Sequence, residues 1–170
     1  MGLSCKERIN PTHPSDWIEI RQRIPPYEAR GFKLEWIDTA GQRLLLSAQS
    51  VARLKRGDTT VWLMENDIRA VHLSTTGETL ETLRSQRAEV YPDKRRFIAE
   101  REVLLTTAES LRLETDFLYW EQERSLITAP GWVRLQTPKE LLRGEGLEYH
   151  TQHRTYRLRR TSGTVQSPIP

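Results

Sequence analysis

Residues 83–107, LRSQRAEVYPDKRRFIAEREVLLTT, and residues 113–137, LETDFLYWEQERSLITAPGWVRLQT, are one unit written twice. Leu83, Ala88, Val90, Phe97, Val103, Leu105 and Thr107 return 30 residues later as Leu113, Leu118, Trp120, Ile127, Val133, Leu135 and Thr137. A shorter third copy follows at a spacing of 29, with Leu142, Leu147, Tyr149 and Tyr156, and a degenerate earlier one begins at Leu46, Ala48 and Val51. Four copies of one short unit account for most of the chain.

Each unit reads as an outgoing and a returning strand. The outgoing strand ends in a polar tetrapeptide: Tyr91-Pro92-Asp93-Lys94, then Glu121-Gln122-Glu123-Arg124, then Thr151-Gln152-His153-Arg154. Pro at the second place and Asp at the third are turn chemistry, so these are hairpin tips. Return strands run through Phe97, Ala99, Val103 and Leu105, and through Ile127, Ala129, Val133 and Leu135, to a second corner such as Thr137-Pro138-Lys139-Glu140. Within the outgoing strand the apolar face changes parity, from Leu83 and Ser85 to Ala88 and Val90. The same step of three separates Thr115 from Leu118, Gly144 from Leu147 and Ala48 from Val51. Side chains alternate with period two, so a bulge at one level in every copy is needed to keep one face inward. Bulges aligned across a meander bend all its strands together and curve the sheet into a trough. The predicted fold is all-β, a twisted open jellyroll of repeated antiparallel strand pairs over residues 27–166.

Upstream, Phe32, Leu34 and Trp36 alternate, Asp38 to Gly41 is a turn, and Leu44, Leu46 and Ala48 alternate again, which predicts a hairpin. The first 26 residues hold Pro11, Pro14, Pro25 and Pro26 and read as a tether, with a short turn of helix at Asp16 to Arg23. Residues 167–170 read as a tail. The 170 residues suit one domain with a tether. At 36% hydrophobic and 29% charged the chain is polar, but five Trp, five Tyr and three Phe supply a thin core. No apolar run approaches the roughly 20 residues that span a bilayer. The charge balance, 26 basic against 23 acidic residues, is interleaved rather than gathered, which argues against a nucleic-acid partner.

Motifs for catalysis are missing: there is no G-x-S-x-G, no phosphate-binding glycine loop and no H-E-x-x-H, so the chain reads as a non-enzyme without cofactor. His150 and His153 fall on a hairpin tip with no third ligand nearby and read as exposed turn residues, so no metal site is expected. The pairs Glu145 and Glu148, and Glu121 and Glu123, are candidates for acid and base work but suit solvated strand faces better. Basic runs at Arg53 to Arg56, Lys94 to Arg96 and Arg157 to Arg160 read as a solubilising rim or as a grip for phosphate. Trp120, Trp132, Tyr149 and Tyr156 are placed at inward or near-inward positions. Val90, Val103, Leu118, Trp120, Val133, Leu147 and Tyr149 occupy equivalent inward places and are the predicted lining.

The run from Leu113 to Tyr149, with its L-x-T-x-x-L-x-W strand, I-T-A-P-G-W-V-R-L-Q-T-P and the G-x-G-L at Gly144 to Leu147, resembles the periplasmic LptC component of the lipopolysaccharide transport bridge, in a Bacteroidetes-like form. The likeness covers about Phe32 to Leu158, and its repeat is shared across the wider LptA, LptC and OstA-like superfamily. It implies a jellyroll open along one side whose apolar interior receives the acyl chains of lipopolysaccharide. It also implies an inner-membrane ABC transporter of the LptBFG kind as supplier, and an LptA-like jellyroll as recipient, stacked edge to edge. The usual membrane helix is missing, and Gly2-Leu3-Ser4-Cys5 resembles the end of a lipoprotein signal, which implies an acyl anchor at Cys5 and a periplasmic location at the inner membrane. The last return strand, at Tyr156 and Leu158, is the predicted partner edge, since an uncovered edge can accept another strand. A jelly-roll sugar-binding module or carboxylate-dependent carbohydrate enzyme is the alternative; it requires a polar pocket where the repeat requires an apolar one.

Overall fold

Alternation along every segment of the repeat produces strands, and in the computed structural model, which describes residues 31–165, they join in one antiparallel sheet. The strands are β1 (Phe32–Ile37), β2 (Arg43–Ala48), β3 (Ser50–Arg56), β4 (Thr59–Leu73), β5 (Thr79–Tyr91), β6 (Arg96–Thr107), β7 (Arg112–Glu121), β8 (Leu126–Gln136), β9 (Glu140–His150) and β10 (Thr155–Val165). From β4 onward each pairs with the next in sequence, while the other edge of β4 carries β3 along its first half and β2 along its second, with β1 beyond β2. Neither outer edge closes on the other, so the sheet is open rather than a barrel. The fold is thus the all-β open jellyroll expected from the repeat. The tether, the helical turn at Asp16 to Arg23, Cys5 and the tail at 167–170 lie outside the described residues.

The predicted turns form. Asp38 accepts the backbone N–H groups of Ala40 and Gln42 on Oδ1, at 2.9 and 2.8 Å, which ties the β1–β2 corner. Pro92 to Lys94 make a single 3-10 turn, with Arg95 left-handed at φ 43°, and Ser125 and Arg154 take the same conformation at the next two tips.

A line of irregularities crosses the sheet at mid-strand. The register shifts between Glu65 and Ile68 on β4, Arg84 and Arg87 on β5, Glu100 and Val103 on β6, Thr115 and Tyr119 on β7, and Ala129 and Trp132 on β8. Two more shifts follow on β10 between Leu158 and Ser162. Outgoing strands carry the expected parity step. Return strands carry a bulge as well, which their constant parity conceals: Arg101 and Glu102 both turn left-handed, at φ 63° and 50°, so three residues rather than one separate inward Ala99 from inward Val103. On β8 Pro130, Gly131 and Trp132 likewise stand as three exposed residues between inward Ala129 and inward Val133, here without left-handed backbone. Trp132 therefore points outward and is 54% exposed, which corrects its expected near-inward place: a bulge of three residues keeps the parity of Ala129 and Val133 but turns the intervening aromatic to solvent.

This line is a crease. Tyr156 pairs with Tyr149, nine residues along β9 from Glu140, or about 30 Å in a flat sheet. Yet the Tyr156 hydroxyl donates to Glu140 Oε1. His72 on β4 likewise packs edge-on against Trp120 of β7, three strands away, at 5.6 Å between ring centroids. Such contacts require the sheet to fold along the crease, so that the half bearing the hairpin tips faces the half bearing the corners. Between these two walls lies one core, from Leu44 on β2 to Tyr149 on β9. A second, small cluster of Leu54, Val61 and Leu63 sits on the opposite face of β3 and β4.

Candidate functional site

The interior between the walls is built by the repeat. Val90, Leu118, Trp120, Leu147 and Tyr149 come from the tip wall, and Val103 and Val133 from the corner wall just past the crease. All seven join a single apolar cluster, and each is 2% exposed or less. The interior is consequently filled by its own side chains.

What holds the walls together at their rims is polar. Arg154, on the β9–β10 tip, forms an ion pair with Glu109 on the β6–β7 corner; both side chains are about half exposed. Exposed pairs of this kind are worth roughly 0–1 kcal/mol. The second rim contact is the Tyr156 to Glu140 bond, and the Tyr156 hydroxyl is pushed up to about 12, first by burial and then by that carboxylate, so it stays a donor. Tyr156 and Leu158 are half-buried and pack against the core from β10. Their side chains face inward, so what this edge presents outward is its backbone.

One feature of the interior is unlike the rest. His72 and Glu81 are 5% and 3% exposed, with His72 Nδ1 at 2.5 Å from Glu81 Oε2 and Nε2 at 3.1 Å from Gln42 Oε1. Opposite them the Tyr149 hydroxyl is buried, set against the Glu81 carboxylate without completing a hydrogen bond of good geometry. Burial first, then the nearby Glu81 and Glu109 carboxylates, push that hydroxyl well above the ordinary tyrosine value. Sequence reading missed His72 and Glu81. Parity could have found both, since His72 continues the inward series Ile68 and Ala70, and Glu81 precedes inward Leu83 and Ser85. Glu81 also stands 30 residues before Leu111, so a carboxylate occupies a place that the next copy fills with a buried leucine.

The remaining candidates lie elsewhere. His150 and His153 are exposed, and no group of three or more metal-ligating side chains occurs among the described residues. Glu121 is held between Arg96 at 3.0 Å and Arg124 at 2.8 Å, and Glu145 faces Arg160 at 3.4 Å. Arg53, Lys55, Lys94, Arg157, Arg159 and Arg160 are exposed, on tips and strands from both ends of the sheet order rather than on one patch. On the outer surface at the crease, Trp132, Glu102, Arg112 and Asp116 line a cleft of about 370 Å³. No helix among the described residues is long and apolar enough to cross a membrane. Searches against protein-family models and against curated proteins give no match to this chain.

Proposed function

We propose that this chain is an LptC-type subunit of a lipopolysaccharide-transport bridge. On this reading it is held at the periplasmic face of the inner membrane by its N-terminal segment, accepts lipid from an ABC transporter and passes it to the next jellyroll. The observation that supports the reading is the crease, which turns a single open sheet into two apolar walls hinged along one line and joined at their rims by weak polar contacts. Burying a methylene is worth roughly 0.8 kcal/mol, so an acyl chain of a dozen carbons gains about 10 kcal/mol between the walls. Parting the walls gives up the packing of the core side chains between them, which that gain must offset, and the exposed ion pair at the rim adds little to the cost. Leaving the donor membrane forfeits a comparable amount, so the trough sets a route and ATP hydrolysis by the transporter supplies direction.

A photo-crosslinking side chain at Leu118 or Val133, both fully buried, is expected to capture lipopolysaccharide. One at Glu114, which faces Arg112 and Arg134 outside, or at Glu123 on an exposed tip, is expected not to. Equal capture at both sets would sink the carrier reading.

Docking of the next jellyroll on β10 is tested through its backbone. In an antiparallel pair alternate N–H groups point away from the partner strand, so of Arg157 and Leu158 one donates to β9 and the other faces outward. Proline at the outward one should leave melting close to native while abolishing binding to an LptA-like partner, whereas proline at the other should destabilise the edge. If both variants bind the partner as the native chain does, β10 is not the docking strand.

A further inference from the structure

We propose that Tyr149, with the Glu81 carboxylate held by His72, forms a hydrogen-bonding station inside the apolar interior that takes a neutral donor–acceptor group, a hydroxyl or secondary amide, carried on a long alkyl or acyl chain. The inference rests on the lipid-carrier reading and narrows its ligand. Three observations carry it. The Tyr149 hydroxyl is buried and set against the Glu81 carboxylate without completing a hydrogen bond of good geometry, although a buried polar group left unpaired costs about 1–3 kcal/mol. Glu81 breaks the apolar pattern of its own repeat at a place where Leu111 shows that leucine fits. The two groups come from opposite walls, β9 and β5, so a guest lying between the walls meets both.

The chemistry of the guest follows from the donors and acceptors present. Tyr149 can give a proton, and a carboxylate oxygen of Glu81 can accept one. Of that carboxylate, Oε2 is engaged by His72, and the carboxylate lies against the Tyr149 hydroxyl. A hydroxyl or an amide satisfies both sides at once. An ether or a ketone satisfies only Tyr149, and an anionic group would be set beside a buried carboxylate. Gln42 anchors the far side of the His72 ring, so Glu81 is held in place by a chain of contacts rather than by its own rotamer. The station thus fixes the depth to which a chain slides in, which a uniformly apolar interior cannot do.

The test uses the full-length chain, with 1-dodecanol and its methyl ether displacing the apolar dye N-phenyl-1-naphthylamine. The alcohol should bind about tenfold more tightly than the ether, the worth of one net buried hydrogen bond. In Glu81→Leu, which removes the acceptor that only the alcohol can use, that ratio should collapse towards one while affinity for the ether holds, and in Tyr149→Phe both probes should weaken together. Both variants should keep the native fold, since phenylalanine preserves the ring of Tyr149 and Leu111 shows that leucine fills the place of Glu81 in the next copy. If both probes displace the dye equally from the native protein, or the preference survives in Glu81→Leu, the station is refuted and the carrier reading stands. If neither probe displaces the dye, the carrier reading fails as well.

Discussion

Leu118→Asp should cost about 3–5 kcal/mol of stability, a large share of the 5–15 kcal/mol typical of a single domain. Leu118 is fully buried on β7, opposite Ala99 of β6, among apolar side chains from both walls. A carboxylate there meets no cation, and ionisation without a partner is what makes such a substitution severe. Leu118→Ala, which removes only packing, should cost about 2–5 kcal/mol through the cavity it leaves. Glu123→Lys, on an exposed tip, should stay within about 0.5 kcal/mol of native. Urea unfolding curves of the three variants measure these differences. An unchanged midpoint for Leu118→Asp would mean that water reaches the interior, as the sugar-binding alternative requires.

The core was legible because the repeat supplies several copies of each inward position. Val90, Trp120 and Tyr149 fill the same place in successive units, and all three are buried. The crease was legible on the outgoing strands, where a step of three, as from Thr115 to Leu118, breaks the alternation openly. It was hidden on the return strands, where the longer excursion through Arg101 and Glu102 restores parity and leaves the apolar pattern intact. Trp132 was misplaced by the same concealment. The facing of the two walls could not be read from strand patterns, because the contacts that prove it, His72 with Trp120 and Tyr156 with Glu140, join residues far apart in strand register. His72 and Glu81 escaped because a histidine and a glutamate in a charged, polar chain read as surface residues. Their parity says otherwise, and so does the loss of a leucine from the repeat.

Tying the rims together should block loading of lipid. The β9–β10 tip and the β6–β7 corner meet at Arg154 and Glu109, on opposite walls, and an exposed ion pair holds them only weakly. With Glu109→Cys and Arg154→Cys in a Cys5→Ser background, which removes the one native thiol, a short bis-maleimide reagent would replace that pair by a covalent clamp. Parting of the walls at this rim then requires sub-global unfolding instead of local opening, and the loading rate should fall on the order of a hundredfold. Lipid bound before the clamp closes should be retained for correspondingly longer, so the two orders of addition give opposite outcomes from one covalent product. The uncoupled double variant loads at the native rate if the ion pair is as weak as its exposure indicates. Were the clamped protein to load as fast as the unclamped one, acyl chains would have to enter from the open ends of the sheet, beside β10 or β1, with the hinge at the crease playing no part in their passage.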